Sequence, residues 1–225
     1  MRILLADDQA LFRAGLRHLL DRLGDEPEVF EVGTYTDLVA RLDQEQVFDL
    51  ILVDVLMPGV ESFDRLQALC EAADRVPVVV VSVRDRAVDV QLAIKAGASG
   101  YIPKSSDPAV MISALKLVLS GGIYIPPNAL HLSRSSGAGR PARARAAGSA
   151  ASLGRLTGRQ REVMALMAQG KSNKEIAHDL GLSSGTVKIH ISNIFKALNV
   201  HNRIQAVIAA GESFSGTEED RGLTC

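Results

Sequence analysis

The stretch FDLILVDVLMPG, residues 48–59, contains the residues that decide the fold of the first half of the chain. Its middle part, ILV at positions 51–53, is apolar without alternation, which predicts a strand buried on both faces. The strand ends in Asp54, and the chain then breaks at Met57-Pro58-Gly59. Burying a carboxylate costs free energy unless a partner compensates it. Asp54 is therefore expected to belong to a functional site.

Working outward, strand-like and helix-like segments alternate from the N-terminus to about residue 122. The further strands are predicted at RILLAD (2–7), EVFEVG (28–33), PVVVVS (77–82) and GYIPK (100–104). Helices are predicted at residues 10–24, 36–46, 63–73, 87–98 and 108–122, the first with Leu11, Leu16, Leu19, Leu20 and Leu23 facing inward. Five such βα repeats predict an α/β fold, a flavodoxin-like, doubly wound parallel sheet of five strands with helices on both faces.

The charge distribution separates this half from the rest of the chain. Residues 1–125 hold 12 Lys and Arg against 19 Asp and Glu, whereas residues 126–210 hold 12 against 3. An acidic half joined to a basic half is typical of a regulator with a nucleic-acid-binding module. Without an apolar run of roughly 20 residues or a signal peptide, the chain is expected to be cytoplasmic.

Composition also predicts the domain boundaries. Residues 126–152 are rich in Pro, Gly, Ala, Ser and Arg without apolar periodicity, which indicates a tether. Beyond them the chain is helical, with capping boxes predicted at Thr157 and Ser172. We predict an α/β domain at 1–122, a flexible basic linker at 123–152, an all-α four-helix domain at 153–212 and a disordered tail at 213–225.

Polar residues follow four of the five predicted strands. Asp7 and Asp8 follow the first, Asp54 the third, Ser82 ends the fourth and Lys104 follows the fifth. The carboxyl ends of parallel strands gather at one edge, where ligands bind. Three carboxylates repel one another unless a cation offsets them, and Mg²⁺ is the natural occupant. An anion that needs both a metal and a lysine is a phosphoryl group.

These residues carry a resemblance. Asp7-Asp8, DVLMPG, the strand-four hydroxyl and YIPK resemble, in register, a response-regulator receiver domain over about the first 120 residues. The resemblance implies that Asp54 is the phosphoacceptor, and that Asp7 or Asp8, with Asp54 and the Leu56 carbonyl, holds Mg²⁺. It also implies that Lys104 pairs with the phosphoryl oxygens, while Ser82 swings toward them and Tyr101 rotates inward.

Two positions depart from the family pattern. Ser62 stands where a glycine is common, and Val83 where a small residue commonly follows the switch hydroxyl. We hypothesise that Val83 narrows phosphoryl access and that Arg84 and Leu56 tune the lifetime of the phosphoryl group.

The basic half contains helix, short turn and helix in the stretch from Asn173 to Val200. At 100° per residue, Val187, Ile191, Ile194 and Leu198 fall within about 60° of one another and form a core stripe. Ile189 breaks the pattern, because it is apolar on the polar face. Flanked by polar residues on a second helix, it fits a contact to a thymine methyl group in the major groove.

This half resembles the LuxR-type helix-turn-helix over about residues 153–212, through LTGRQREVMALMAQGKSNKEIA and GLSSGTVKIHISNIFKALNV. The resemblance implies that Lys188, Ile189 and Ser192 face bases. It makes five residues candidates for phosphate contacts: Asn173, Lys174, Thr186, His190 and Lys196. It further implies that the last helix, RIQAVIAA, pairs two DNA-binding domains.

A receiver followed by a LuxR-type helix-turn-helix is the arrangement of the NarL/FixJ family. The resemblance implies a transcription factor phosphorylated by a sensor histidine kinase. Its other expected partners are double-stranded DNA and a second copy, on phosphorylation or on DNA, with RNA polymerase as a candidate. Beyond its own phosphorylation and dephosphorylation it is expected not to be an enzyme. Two alternatives remain: a receiver that works without phosphorylation, and an Mg²⁺-dependent phosphatase built on the same acidic edge.

Overall fold

The computed structural model describes residues 1–24, 27–44, 48–60, 62–73, 76–129 and 156–214, and the side chains among them up to residue 210. The chain divides into two compact units, which meet in sequence between Ser136 and Gly137.

The first unit contains a parallel sheet of five strands in the order β2-β1-β3-β4-β5. The strands are β1 (Arg2–Ala6), β2 (Glu28–Val32), β3 (Leu50–Val53), β4 (Val78–Ser82) and β5 (Gly100–Pro103). The helices between and after them are α1 (Ala10–Leu20), α2 (Tyr35–Asp43), α3 (Phe63–Ala72), α4 (Ala87–Lys95) and α5 (Pro108–Leu119). This architecture confirms the predicted α/β fold.

The apolar strands are buried on both faces because helices cover both. Alternate strand residues, such as Ile3, Leu52 and Val79, pack in one cluster with residues of α1 and α5. The residues between them, including Leu4 and Ile51, are equally buried toward the other face. Consistent with this arrangement, α1 contacts α5, while α3 contacts α4.

The second unit contains, within the described residues, the helices α6 (Gly158–Ala168), α7 (Asn173–Leu180), α8 (Ser184–Leu198) and α9 (Arg203–Phe214). Both predicted capping boxes are formed, with Thr157 against Gln160 and Ser172 against Glu175. Val187 and Ile194 of the predicted stripe are fully buried in the core of this unit. In the part of the chain that the structure describes, no helix is long and apolar enough to cross a membrane.

The structure corrects two predictions about the first helix. Leu11 is 88% exposed rather than inward, because it lies in the first turn beyond the edge of the core that Leu16 and Leu20 enter. The α-helix also stops at Leu20, and a 3₁₀ turn at Asp21–Leu23 completes the segment.

The predicted linker begins too early. Tyr124 extends the edge of the sheet, since the N–H of Tyr101 donates to its carbonyl over 3.0 Å. Pro126 and Ala129 are buried as well. Residues 123–129 therefore belong to the first unit, in which the backbone of Tyr124 bonds to the edge of the sheet next to β5. The predicted tail, residues 213–225, also begins too early, because residues 213 and 214 belong to α9. Its remainder from residue 215 onward and the rest of the predicted linker up to residue 152 lie outside the described residues.

Candidate functional site

The carboxyl ends of β1, β3, β4 and β5 bring together the polar residues that the sequence places there. Asp54 directly follows β3, and its N–H donates to Ala6 O on β1 over 2.9 Å. Lys104 directly follows β5, and its N–H donates to Ser82 O on β4 over 2.7 Å. These two backbone hydrogen bonds continue the sheet by one residue beyond β3 and β5, and so place Asp54 and Lys104 along the same edge.

The cluster combines three carboxylates with one ammonium group. Oxygens of Asp7, Asp8 and Asp54 all lie within 4.8 Å of one another. Asp7 and Asp54 are each 1% exposed, whereas Asp8 faces solvent. The Lys104 ammonium lies 2.7 Å from Asp7 Oδ2 and 2.7 Å from Asp54 Oδ2. One buried cation therefore compensates both buried carboxylates.

Each buried carboxylate is oriented by two different partners. Asp7 Oδ1 accepts from the N–H of Gln9 over 2.8 Å, and Asp54 Oδ1 accepts from the N–H of Leu56 over 2.9 Å. The other oxygen of each group faces Lys104. The backbone turn after each strand and the lysine together fix the direction in which these carboxylates point.

Lys104 stays positively charged in this environment. Burial by itself would lower the pKa of Lys104, but hydrogen bonding and attraction to Asp54 and Asp7 outweigh burial and raise that pKa. The side chain is only 5% exposed. The site therefore holds a permanent cation beside Asp54.

The donor atoms suit a hard divalent cation. All three acidic residues offer carboxylate oxygens, the ligands that Mg²⁺ prefers, and Asp8 leaves the cluster open to solvent on one side. The acidic cluster is thus compatible with Mg²⁺. The predicted ligand Leu56 lies beside it, with its N–H on Asp54.

The two predicted switch residues share a contact with the loop after β4. Ser82 is fully buried, and its hydroxyl oxygen lies 3.4 Å from the N–H of Arg84, which donates to it. The Tyr101 hydroxyl donates to the carbonyl of the same residue over 2.7 Å. Tyr101 already lies inside the protein, and burial foremost raises its pKa to about 12. Its phenol therefore remains a donor at neutral pH.

The loop after β4 has further anchors that the sequence did not reveal. The Arg86 guanidinium donates twice to the Asp89 carboxylate, over 2.8 and 3.1 Å, although Asp89 is almost completely buried. The Asn128 amide donates to the carbonyl of Asp85 over 3.1 Å. The i, i+3 spacing of Arg86 and Asp89 could have indicated the first contact, whereas nothing local predicts the second.

The positions that depart from the family pattern have clear local surroundings. Ser62 lies in extended backbone at φ −131°, which any residue adopts, so the structure does not require glycine there. Val83 is 58% exposed directly after the buried Ser82. Gly59 has φ +96°, and a Cβ on it would lie 2.7 Å from Tyr35 Cβ, so the loop after Asp54 requires glycine at this point.

In the second unit, α8 presents a mixed face to solvent. Lys188 and Lys196 are exposed, and Ile189 is 57% exposed opposite the stripe that enters the core. Lys174 on α7 is exposed as well, while Thr186 and His190 are partly exposed. These side chains are at least partly accessible to a ligand.

Two of the predicted DNA contacts are not accessible. Ser192 is 9% exposed, and its hydroxyl oxygen is buried. Asn173 is 4% exposed, because it lies on the same side of α7 as the core residues Ile176 and Ala177. The structure therefore corrects the prediction that these two side chains reach DNA.

Comparison with known proteins identifies both units. Residues 3–116 match the model of the response regulator receiver domain, and residues 154–210 match that of the bacterial regulatory proteins of the luxR family.

Several relatives match both units together. The chain is 38% identical to the glycerol metabolism activator of Pseudomonas putida, covering 94% of this chain and 95% of that protein. It is 34% identical to the nitrate/nitrite response regulator protein NarP of Escherichia coli K12, covering 92% and 93%. Over a shorter stretch, 56% of this chain and 98% of that one, the chain is similar to the crystal structure of a LuxR family DNA-binding response regulator from Silicibacter pomeroyi, with 35% identity and a TM-score of 0.51.

The fold, the acidic site and these matches define a two-component response regulator with a LuxR-type helix-turn-helix. Within that class, the chain belongs to the NarL/FixJ family of transcriptional regulators.

Proposed function

We propose that this response regulator is switched by phosphorylation of Asp54 from a sensor histidine kinase, with Mg²⁺ as cofactor. The observation that carries the proposal is the contact of 2.7 Å between Asp54 Oδ2 and the Lys104 ammonium, beside the carboxylates of Asp7 and Asp8. A buried carboxylate that touches a permanent cation and lies next to a cation-binding cluster is suited to accept a phosphoryl group.

In the transfer step, Asp54 is the nucleophile. One of its carboxylate oxygens attacks the phosphorus of a phosphohistidine, so that a P–O bond forms as the P–N bond breaks. The electron pair of the broken bond stays on the imidazole nitrogen, which is protonated. Mg²⁺ held by Asp7 or Asp8, Asp54 and the Leu56 carbonyl would supply positive charge to the phosphoryl oxygens. Lys104 supplies a second positive charge and pairs with the phosphoryl oxygens once Asp54 carries the phosphoryl group as an acyl phosphate.

Ser82 and Tyr101 change their contacts in response to the phosphorylation of Asp54. If the Ser82 hydroxyl turns toward the phosphoryl oxygens, it loses its hydrogen bond from the Arg84 N–H. At 3.4 Å this bond is longer than the one between the Tyr101 hydroxyl and the Arg84 carbonyl. The Tyr101 hydroxyl holds the Arg84 carbonyl at 2.7 Å, so a shift of the loop is transmitted to a buried side chain of β5. The surface around α4 and β5 then differs between the two states.

The output is DNA binding through α8. Lys188 and Ile189 are proposed to reach bases in the major groove, and Lys174, Thr186, His190 and Lys196 to contact phosphates. The α9 helix pairs two DNA-binding domains, so that the protein acts as a homodimer on phosphorylation or on DNA. RNA polymerase is a proposed further partner, and the cytoplasm is the proposed location.

The first experiment compares wild type with Asp54→Asn, which keeps the shape of the acceptor and removes its nucleophile. Both proteins are treated with a small phosphodonor and Mg²⁺, and the bound phosphate and the molar mass in solution are measured. Phosphate uptake and a doubled mass in wild type only are expected.

Other results separate the parts of the proposal. Phosphate on Asp54 without a change of mass would contradict dimerisation by the receiver and favour release of the DNA-binding unit within a monomer. No phosphate on wild type would contradict the phosphorylation mechanism. We propose that the chain is no enzyme beyond its own phosphorylation and dephosphorylation, so it should not turn over added phosphoesters, as a phosphatase would.

A further inference from the structure

The Lys104 ammonium contacts an aromatic ring in addition to the two buried carboxylates. The Nζ atom of Lys104 lies 4.4 Å from the centre of the Phe12 ring, in addition to its contacts of 2.7 Å with Asp7 and Asp54. Phe12 belongs to α1, whereas Lys104 follows β5, so the contact joins two elements far apart in sequence.

The ring differs in kind from the other partners of this ammonium. Its π face attracts a cation but accepts no conventional hydrogen bond, so it does not compete with oxygen atoms for the N–H donors. It also shields the ammonium from water, in line with the 5% exposure of the lysine side chain. A partner of this type can stay in place while the oxygen ligands of the ammonium change.

The Phe12 ring packs against the apolar core of the first unit. Phe12 packs against the core cluster that includes Leu16 and Met111, and it lines the groove between α1 and α5. Its position is therefore set by apolar packing and not by the charge of Lys104.

We propose that Phe12 is a positioning residue for phosphoryl transfer, which keeps the Lys104 ammonium aimed at Asp54 while carboxylate oxygens are exchanged for phosphoryl oxygens. This role rests on the proposed phosphorylation of Asp54. It adds to that mechanism a residue that acts through its contact with the lysine.

The test removes the π system and retains the apolar volume. Phe12→Leu should lower the rate of phosphorylation by a small phosphodonor with Mg²⁺ by roughly three- to thirtyfold, the range between a partly exposed and a desolvated cation–π contact. Phe12→Tyr and Phe12→Trp keep the ring and should restore the rate. Leu19→Ala, seven residues further along the same helix, removes apolar packing at a distance from the ammonium and serves as the matched control.

Two readouts separate positioning from packing. If the rates of all four variants followed their thermal stabilities, Phe12 would have only a structural role and the proposal would be overturned. A Phe12→Leu rate equal to wild type would overturn it as well.

A measurement on the unphosphorylated protein makes the test independent of the reaction. In the NMR spectrum, the ring current should shift the proton resonances of the Lys104 ammonium and its adjacent methylene upfield in wild type, and the shift should vanish in Phe12→Leu. Its absence in wild type would overturn the positioning role alone. Failure of wild type to take up phosphate would instead overturn the proposed function, and this role with it.

Discussion

At the scale of single residues, the two oxygens of each buried carboxylate in the acidic site have different partners. A backbone N–H holds one oxygen of Asp7 and one of Asp54, and Lys104 holds the other oxygen of each. The N–H donors are uncharged backbone groups in the turns after β1 and β3, so they do not titrate. The lysine is the partner that can move when a phosphoryl group arrives.

Substitution of Val83 tests whether this residue limits the access of water to a phosphoryl group on Asp54. Its side chain is 58% exposed and follows the buried Ser82, so it lies where solvent approaches the switch hydroxyl. Val83→Ala should shorten the lifetime of phosphorylated Asp54 by a few-fold, because water reaches the phosphoryl group more easily. The loss of bound phosphate over time measures this, with Val88→Ala, another exposed valine, as control. An unchanged dephosphorylation rate would contradict the hypothesis.

The buried Asp89 should make stability depend on acid pH. Hydrogen bonds from Arg86 foremost lower the pKa of this carboxyl below its ordinary value, against the opposing effect of burial. Its contribution is thus present above the ordinary value, about 3.9, and is lost as the pH falls through the lower folded-state pKa. Between pH 5 and pH 2, the free energy of unfolding should fall more for wild type than for Asp89→Asn in denaturant titrations. Parallel curves for the two proteins would show that Asp89 has no such role.

At the scale of elements, loops determine the site as much as strands do. The loop from Asp54 to Val60 carries the acceptor and Leu56, and Tyr35 at the start of α2 packs on it. The loop after β4 carries Arg84, which both switch residues contact. The strands supply a rigid edge, while these loops supply the groups that respond.

Gly59 and Gly15 form a matched pair for testing the first loop. Gly59→Ala combines a left-handed backbone with a clash of 2.7 Å against Tyr35, and should cost about 1–3 kcal/mol of stability. Gly15 lies in the exposed part of α1 with nothing within 4 Å of an added Cβ. Gly15→Ala should therefore stabilise by about 0.5–1 kcal/mol through helix propensity. Thermal or denaturant unfolding measures both, and equal effects of the two substitutions would refute the argument.

The exposed face of α8 should separate base recognition from phosphate contact. Ile189→Ala removes the apolar tip opposite the core stripe and should weaken binding to a selected operator by roughly tenfold, while non-specific binding stays unchanged. Lys196→Ala should weaken both and reduce the salt slope by about one. Titrations at several salt concentrations, on operator and random DNA, distinguish the two. Equal losses on both DNAs for Ile189→Ala would exclude a base contact.

At the scale of the whole molecule, two units of opposite charge share one chain. The acidic unit has the proposed phosphorylation site and the basic unit the proposed DNA-binding face, with net charges of −7 for residues 1–125 and +9 for residues 126–210. The basic charge supplies the salt-dependent part of DNA affinity, and dimerisation doubles the number of contacts.

If the protein binds DNA as a dimer, its affinity should depend on the spacing of the two half-sites in the operator. Two half-sites about one helical turn apart, roughly 10 base pairs, are expected for a symmetric helix-turn-helix dimer. Inserting about 5 base pairs rotates one half-site to the opposite side of the DNA, so tight binding should be lost, and about 10 should restore part of it. Gel-shift titrations of the phosphorylated protein measure this, and affinities indifferent to spacing would argue for monomer binding.

The sequence by itself determined the order of the elements and the residues at the strand ends. Apolar runs located the strands, because a parallel sheet covered on both faces excludes polar side chains from its interior. Since the carboxyl ends of parallel strands share an edge, Asp7, Asp54, Ser82 and Lys104 could be grouped before any coordinates were known. Local hydrogen bonding likewise determined the capping box at Ser172.

Only the tertiary structure decided which neighbours cover each side chain. Periodicity states which side of a helix a residue occupies, but not how far the core reaches around it. Leu11 was therefore exposed and Ser192 covered, both against the helical pattern. The contacts of Phe12 with Lys104 and of Asn128 with the loop after β4 join segments that are distant in the chain, and packing alone brings such segments together.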